Sequence, residues 1–577
     1  MLGRRWTLVA LMMAVPFSWS SARAQSQAAS AGQRPWWRPS VIYEVYPRSF
    51  ADSNNDGIGD LNGIASKLDY LESLGVDAIW ITPCYPSPQK DFGYDVSDYT
   101  NIDPMYGTLK DFNRLVEEAM QHHIRVLMDF VMNHTSDQHP WFLASRSSRN
   151  SPYRDWYIWR DGKGPGQPPN NWISDFGGPA WTWDAKTGQY YYHYFEAAQP
   201  DLNWRNPAVQ KAMFNVARFW YDRGVAGFRL DAVDTLYEDP NLHDNPIVNG
   251  EMVNKYNDNL AENHVILRRL RSLSNQYDAV LLGETWTDNI SQLKQYYGDH
   301  DDEIQLPMDF MFATVNTLSA PKFRHQIDMI ESSGEWPTFV ITNHDMERSY
   351  NRYGDGVHND AIAKLMAALY LTLRGTAVMY YGEEIGMSNN DPKRLADVLD
   401  PLGRMDWPKN KGRDGERTPM QWSDTPKAGF TEGKPWLPIP ASYRTHNVAT
   451  ELQEPDSILN FYKALLHMRR NNPALAEGDY VDVTPNDPNL ICFLRRSQGG
   501  SVMVALNLSG ERQHLAAEFD RYGLGSGKVT TLLSTMKRPP SHLRRAVLDP
   551  FAVWIVQVEQ PGEQMARAGA TSAEGSN

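Results

Sequence analysis

The 577-residue sequence is short of three things. It has two cysteines, Cys84 and Cys492, far apart and without metal-ligand spacing. That number excludes a disulfide framework and a cysteine-built zinc site, so both are expected to be buried free thiols. Positive charge is also scarce: 56 Lys and Arg stand against 70 Asp and Glu, a net −14. Such a field repels phosphate backbones and anionic membrane surfaces, which argues against nucleic acid or membrane partners and favours a neutral or cationic substrate. Finally, long apolar runs are absent beyond the first residues. Trp6 to Trp19 is mostly apolar but shorter than the ~20 residues that a membrane span needs. Arg4 and Arg5 precede it, and Ala22-Arg23-Ala24 follows as a small-x-small cleavage site. Residues 1–24 therefore read as an export signal, the mature chain starts near Gln25, and the protein is expected to be periplasmic or secreted.

What is present is a soluble globular composition, 41% hydrophobic and 22% charged. Aromatics reach 12%, with 19 Trp and 28 Tyr, which serves either a Trp-rich core or the stacking of flat rings on sugars. Eight short β-rich runs are bounded by turn residues: Val41–Tyr46, Ala78–Thr82, Val126–Val131, Gly227–Ala232, Val280–Glu284, Ile304–Phe310, Phe339–Asn343 and Ala377–Tyr381. Several lack polar alternation, as strands covered on both faces do. Helix-period segments lie between them, for example Ile64, Leu68, Leu71 and Leu74. Eight strand–helix repeats predict a closed parallel (β/α)8 barrel, a TIM barrel. A doubly wound open sheet is the competing reading, but no Gly-rich phosphate loop follows the first run.

The connection 133–204 is oversized, rich in Trp, Tyr, Pro and Gly and without clear helix period. It is expected to be a subdomain inserted after strand 3 over the barrel mouth. Residues 35–132 and 205–475 make the barrel, closed by a helix from Ser457 to Arg470. Short strands within 476–559 predict a C-terminal antiparallel β-sandwich, and the Ala-, Gly- and Ser-rich tail 560–577 reads as disordered.

Acidic residues end several of the predicted strands: Asp129, Asp231, Glu284 and, shortly after its run, Asp345. In a barrel those ends converge on one mouth. Carboxylates crowded together repel each other, so such a set persists where it binds a cation, pairs with bases or does chemistry. Arg229, His134 and His344 accompany them. Two carboxylates facing one bond are what glycoside hydrolysis requires, one ionised to attack and one protonated to release the leaving oxygen. Arg229 lies two residues before Asp231, on the same strand face, and its cation is expected to hold Asp231 ionised. Glu284 follows an apolar run and precedes Trp286, an environment expected to desolvate it and raise its pKa.

The segments Asp129-Phe-Val-Met-Asn-His134, Gly227-Phe-Arg-Leu-Asp-Ala-Val233, Leu282-Gly-Glu-Thr-Trp286 and Val340-Ile-Thr-Asn-His-Asp345 resemble, in order, the signature regions of the α-amylase superfamily, glycoside hydrolase family 13. Gln199-Pro-Asp-Leu-Asn-Trp204, Tyr381-Gly-Glu-Glu-Ile-Gly386, Gly412–Trp422, Thr82–Pro88 and Gly93-Tyr-Asp95 resemble its oligo-1,6-glucosidase/α-glucosidase subgroup. The resemblance implies a retaining exo-acting α-glucosidase that takes small neutral sugars. In it Asp231 is nucleophile, Glu284 acid/base and Asp345 transition-state stabiliser. His134 and His344 would bond the bound glucose, with Arg229 orienting Asp231. Asp91 would grip the non-reducing 4-hydroxyl, Tyr94 would stack under the sugar, and Arg413 would reach toward Asp91. Gln199, Phe195 and Phe176 would line the cleft from the subdomain, and Asp129 would support the site from below. In similar enzymes Val after the nucleophile accompanies α-1,6 preference and Ala or Thr accompanies α-1,4; Ala232 here points to maltose-type substrates. Oligo-1,6-glucosidase, transglucosylase, trehalose synthase and sucrose isomerase are the alternatives on the same scaffold. Met311–Pro337 lacks the Arg-Leu-Asp-Arg-Asp run that sucrose isomerases carry, and retention of the carboxylate set argues against a non-catalytic barrel.

Asp52-Ser-Asn-Asn-Asp-Gly-Ile-Gly-Asp60 is a separate signal. Oxygens of Asp52, Asn54, Asp56 and Asp60, with the Ile58 carbonyl, suit Ca²⁺ or Mg²⁺. Gly63 stands where an EF-hand requires Glu, so the loop is not an EF-hand. The subgroup carries a comparable loop after its first strand, which implies a structural ion and no organic cofactor.

Overall fold

The computed structural model describes residues 35–164, 166–498, 500–524 and 527–558. The expected export signal (1–24) and the expected disordered tail (560–577) lie outside the described residues. All eight predicted runs form parallel strands: β1 (Val41–Val45), β2 (Ala78–Ile81), β3 (Arg125–Val131), β4 (Gly227–Asp231), β5 (Val280–Gly283), β6 (Leu306–Pro307), β7 (Thr338–Val340) and β8 (Thr376–Tyr380). Their order is β6-β5-β4-β3-β2-β1-β8-β7, and a parallel bridge between Asp309 and Phe339 brings β6 against β7. The sheet is thus a (β/α)8 barrel.

Side-chain direction on these strands follows the period of two. Ile42, Ala78, Trp80, Leu127, Val280, Leu282, Leu306, Val340 and Val378 form one core. Val41, Tyr43, Ile79, Ile81, Val126, Phe228 and Leu230 join a larger one that includes the surrounding helices. Continuing the first row toward the strand ends gives Glu44, Asp129, Arg229, Asp231 and Glu284, all buried. The same alternation that fills the barrel therefore delivers its charges to one end.

Two local expectations need amendment. Ile64, Leu68, Leu71 and Leu74 belong to two short helices, Leu61–Ala65 and Leu68–Leu74. The Ser66 hydroxyl donates to the Gly63 carbonyl at 2.7 Å, a side-chain bond that competes with helix continuation. The insertion, expected to be irregular, contains the helix Pro140–Ser145 and a three-stranded antiparallel sheet of Trp159–Arg160, Gln189–Tyr192 and Trp181–Asp184. Trp172, Trp181, Tyr190, Tyr192 and Tyr194 give it a core of its own. Bridges His134–Asp201 and Tyr157–Leu202 lace its two ends together where it leaves and re-enters the barrel.

The barrel-closing helix is Ile458–Asn471, capped by Ser457. Beyond it stands a five-stranded antiparallel sheet with a two-stranded partner, Gln513–His514 against Val547–Leu548. Ile491, Phe493, Val504 and Ile555 face the barrel's outer core, whereas Cys492, Leu494, Met503 and Trp554 meet Leu515 and Leu548 in a second core. Cys84 and Cys492 are buried free thiols, as expected, and burial raises both.

Behind β8 the Glu383 carboxylate accepts hydrogen bonds from the Tyr370 and Tyr462 hydroxyls at 2.7 and 3.0 Å. Its second oxygen is buried without a partner among the described residues. Burial pushes this carboxyl up to about 7. The folded state thus holds a proton that the unfolded chain releases near pH ~4.3. The group's stabilising effect is complete below that pH and is lost as pH rises through 7. Glu383→Gln is therefore expected to raise the unfolding temperature relative to wild type more at pH 8 than at pH 5. Equal shifts at both pH values would contradict this account.

Candidate active site

The sequence-predicted residues converge at the C-terminal mouth of the barrel, where β3, β4 and β5 end side by side. Arg229 is their hub. Its Nη1 donates to Asp231 Oδ1 at 2.7 Å and to Asp129 at 3.0 and 3.1 Å. Its Nη2 lies 2.7 Å from Glu284 Oε2, and that same oxygen accepts the Ala232 backbone N–H at 2.9 Å. Asp231 and Glu284 thus face one another across a single guanidinium. Trp80 Nε1 and the Tyr94 hydroxyl each donate to Asp129 at 3.1 Å, so Asp129 supports the site from beneath as expected.

The electrostatics are collective. One buried cation serves three buried carboxylates. Burial pushes Asp129 up to about 6 against the pull of Arg229. Burial also pushes Asp231 up; Arg229 opposes, and Glu284 and Asp129 add to the upward push. Arg229 favours the charged form of Asp231, as expected, but the guanidinium is shared with Asp129 and Glu284, and burial outweighs it. Glu284 is buried, as its apolar run and Trp286 led one to expect. Trp286 is 41% exposed, stacks on Phe310 with centroids 4.1 Å apart, and donates its indole N–H to Glu284 Oε1 at 3.2 Å.

Asp345 has the opposite surroundings. Arg413 Nη1 and Arg417 Nη2 reach its Oδ1 at 3.0 and 2.7 Å, and His344 Nε2 lies 3.0 Å from Oδ2. Burial raises this carboxyl, but His344, Arg413 and Arg417 together hold it well below the usual range. Arg413 Nη2 also reaches Asp91 at 2.7 Å, as expected, and Asp400 at 2.7 Å. Gln199 Nε2 bonds Asp91 at 3.3 Å and His134 Nε2 at 3.1 Å. Phe176 lies under the Arg413 guanidinium at 5.3 Å and edge-on to Phe195, which packs edge-on to His134. All the substrate-side candidates therefore belong to one cluster. Burial pushes His134 down to about 4 and His344 well below its ordinary value. Tyr94 stacks on His344 with planes 8° apart and bonds its Nε2 at 2.7 Å, while His344 Nδ1 is held by Glu44 at 2.6 Å.

Three members escaped the sequence reading as site residues. Arg417 lay inside the Gly412–Trp422 segment without a role. Glu44 was an acid in an otherwise apolar strand, a detectable signal. Asp400 carried none, because its partner Arg413 is reached only through the folded loop.

The matching family is now decided by comparison. Residues 44–478 match the α-amylase catalytic domain. The chain belongs to the α-amylase family. It is 43% identical over 498 residues to a probable α-glucosidase of Rhizobium meliloti (strain 1021), covering 83% of this chain and 90% of that one. It is 38% identical over 544 residues to an oligo-1,6-glucosidase of Heyndrickxia coagulans, covering 87% and 98%. Its fold is similar to the crystal structure of an α-glucosyl transfer enzyme, with a TM-score of 0.84 and 40% identity over 91% of this chain and 100% of that chain. Within the α-amylase family this chain is a glycoside hydrolase of the α-glucosidase type.

The Asp52–Asp60 loop packs on residues 430–436. Asp52 Oδ1 accepts the Asn54 and Asn55 amides, Asn54 Oδ1 that of Asp56, and Asp56 Oδ1 that of Ile58. Gly57 has φ 95°, and a Cβ there would sit 1.8 Å from the Lys434 carbonyl oxygen. Successive Asx turns of this kind gather hard oxygen donors on one loop, a set that fits Ca²⁺ or Mg²⁺. Asp60 Oδ1 caps the helix Leu61–Ala65 through Gly63 N at 2.8 Å, and Ser53 bonds both of the Asp60 oxygens.

Proposed function

We propose that this protein is a retaining, exo-acting α-glucosidase that releases α-glucose from the non-reducing end of short α-glucosides, with α-1,4 links of the maltose type preferred. The observation that carries the reading is the pairing of Asp231 and Glu284 through Arg229 at the barrel mouth. In the reactive arrangement Asp231 is charged and Glu284 carries the proton. Asp231 attacks the anomeric carbon while Glu284 protonates the departing oxygen, giving a β-glucosyl-enzyme. Glu284, now a base, activates water, and α-glucose leaves with retained configuration. Asp345, kept ionised by its bases, stabilises the oxocarbenium-like transition state. Asp91, Arg413 and Gln199 close the far end of the pocket, which supports exo action. Tyr94, His134, His344, Phe176 and Phe195 would contact or shape the glucose subsite.

Ala232, directly after the nucleophile, has little side chain beside the scissile bond, which supports the maltose preference. Initial rates on maltose and isomaltose test it; maltose is expected to be faster, and a clear isomaltose preference would overturn the linkage reading. Retention is read by NMR of the first-formed anomer, with α-glucose expected.

The Asp52–Asp60 loop would hold one structural Ca²⁺, with Asp52, Asn54, Asp56 and the Ile58 carbonyl as the core donors and Asp60 adjoining. A bound ion adds stability by mass action. Chelation is expected to lower the unfolding temperature by several degrees without changing kcat at 25 °C, and Asp56→Ala should abolish that response to chelator. A chelator-independent unfolding temperature in wild type would remove the ion from the reading. The signal-like residues 1–24 support export, and N-terminal sequencing of the exported protein should start near Gln25.

A further inference from the structure

The two oxygens of the Glu284 carboxyl have different neighbours. Oε2 lies 2.7 Å from Arg229 Nη2 and accepts the Ala232 backbone N–H at 2.9 Å. Oε1 accepts the indole N–H of Trp286 at 3.2 Å. The fold places that indole from the β6 side. The Thr285 hydroxyl, between the two residues, donates to the Met308 carbonyl at 2.9 Å, and the Met308 amide donates to the Gly283 carbonyl at 2.9 Å. These bonds align residues 283–286 with 308–310. The Trp286 ring then lies flat on Phe310, with planes 12° apart. Asn259 donates to the Trp286 carbonyl at 3.4 Å from a third segment. The Trp286 side chain is exposed, so burial does not account for a tryptophan here. The charged groups that act with Glu284 are Arg229 and Asp231 on β4, Asp129 on β3, Asp234 just after β4 and Asp175 in the inserted subdomain. Replacing the indole leaves all five in place.

We propose that Trp286 is a positioning residue that fixes Oε1 as the oxygen from which Glu284 delivers its proton. This deepens the retaining-hydrolase reading above and rests on it. A proton on Oε2 would face the Arg229 cation and the Ala232 N–H, which both present positive charge. On Oε1 it avoids both, and the indole N–H takes the remaining lone pair of that oxygen. The indole thereby aims the O–H bond. In the first step the Oε1 proton passes to the glycosidic oxygen. The bond from that oxygen to the anomeric carbon breaks as an Asp231 oxygen bonds to the carbon. In the second step water bonds to the carbon, its proton returns to Oε1, and the bond to Asp231 breaks. Between the two steps the indole N–H stabilises the negative charge on Oε1.

The test uses Trp286→Phe, which keeps a ring on Phe310 and lacks the N–H, and Trp286→Leu, which lacks both. Each is compared with wild type on maltose and on α-glucosyl fluoride, whose leaving group needs little help from an acid. For Trp286→Phe, kcat/KM on maltose is expected to fall by about 10-fold, mostly through kcat, and on the fluoride by no more than about 2-fold. A donor to a carboxylate favours its charged form, so without the indole Glu284 should keep its proton to higher pH. The alkaline limb of kcat/KM on maltose should therefore move upward by roughly half a pH unit or more, and alike in both variants, because both lack the donor. A loss of packing alone would lower both substrates together and leave the limb in place. Equal losses on maltose and the fluoride, or an unmoved limb in both variants, would overturn the role of Trp286. Wild type that cleaves neither substrate would instead overturn the hydrolase reading, and this inference with it.

Discussion

Asp231→Asn is expected to lower kcat on maltose by about 10⁴-fold or more while leaving the protein folded. The amide keeps the shape of the carboxylate, and its oxygen can still accept from Arg229 Nη1, now at 2.7 Å from Asp231 Oδ1. What it lacks is the negative charge needed to attack an anomeric carbon. The same change relieves crowding, since one of three buried carboxylates around one guanidinium becomes neutral. The unfolding temperature should therefore stay level or rise, a common consequence of disarming a strained site. Single-turnover kinetics on an aryl α-glucoside separates the two effects, because neither burst nor turnover should remain. Turnover like that of wild type would remove Asp231 from the nucleophile's place.

The second large effect is expected of Arg229→Leu. Removing the hub strands Asp129, Asp231 and Glu284 in a buried site, and breaking a buried ion pair on one side costs about 3–5 kcal/mol. The pH dependence follows from the direction of the shifts. Asp129 is already pushed up to about 6 with the cation present. Without it, both Asp129 and Asp231 rise further, and the folded state binds protons that the unfolded chain has released above pH ~4. Stability of the variant is thus best preserved below that pH and is lost as pH rises through the raised values. Urea unfolding at pH 5 and pH 8 should show the larger deficit at pH 8. A deficit equal at both values, or below about 1 kcal/mol, would mean that the three acids are not held by this cation.

How far these features were legible before folding depends on range. The eight strands could be read because each is a short apolar run, and the acids at their ends because a charge closing such a run is conspicuous. Period-two alternation then places Arg229 and Asp231 on one face without any knowledge of the rest. The oversized insertion showed in its length and aromatic content, but not its small sheet, whose strands are two to four residues long. The break between Leu61–Ala65 and Leu68–Leu74 was hidden because apolar spacing alone continues smoothly through it. Arg413 was recognisable within a motif, whereas Asp400, its bidentate partner thirteen residues earlier, was not.

By itself, then, the chain's order of residues determined the barrel, the inserted and C-terminal units, and the identity of the acids at the mouth. Those depend on local periodicity and on side-chain chemistry, which survive in one dimension. Only the closed tertiary structure decided how charge is distributed among the acids: Arg229 is shared by three of them, and Asp345 is surrounded by two arginines and a histidine. The reason is that the energy of a buried charge is set by every neighbour within a few ångströms, and those neighbours come from strands and loops hundreds of residues apart.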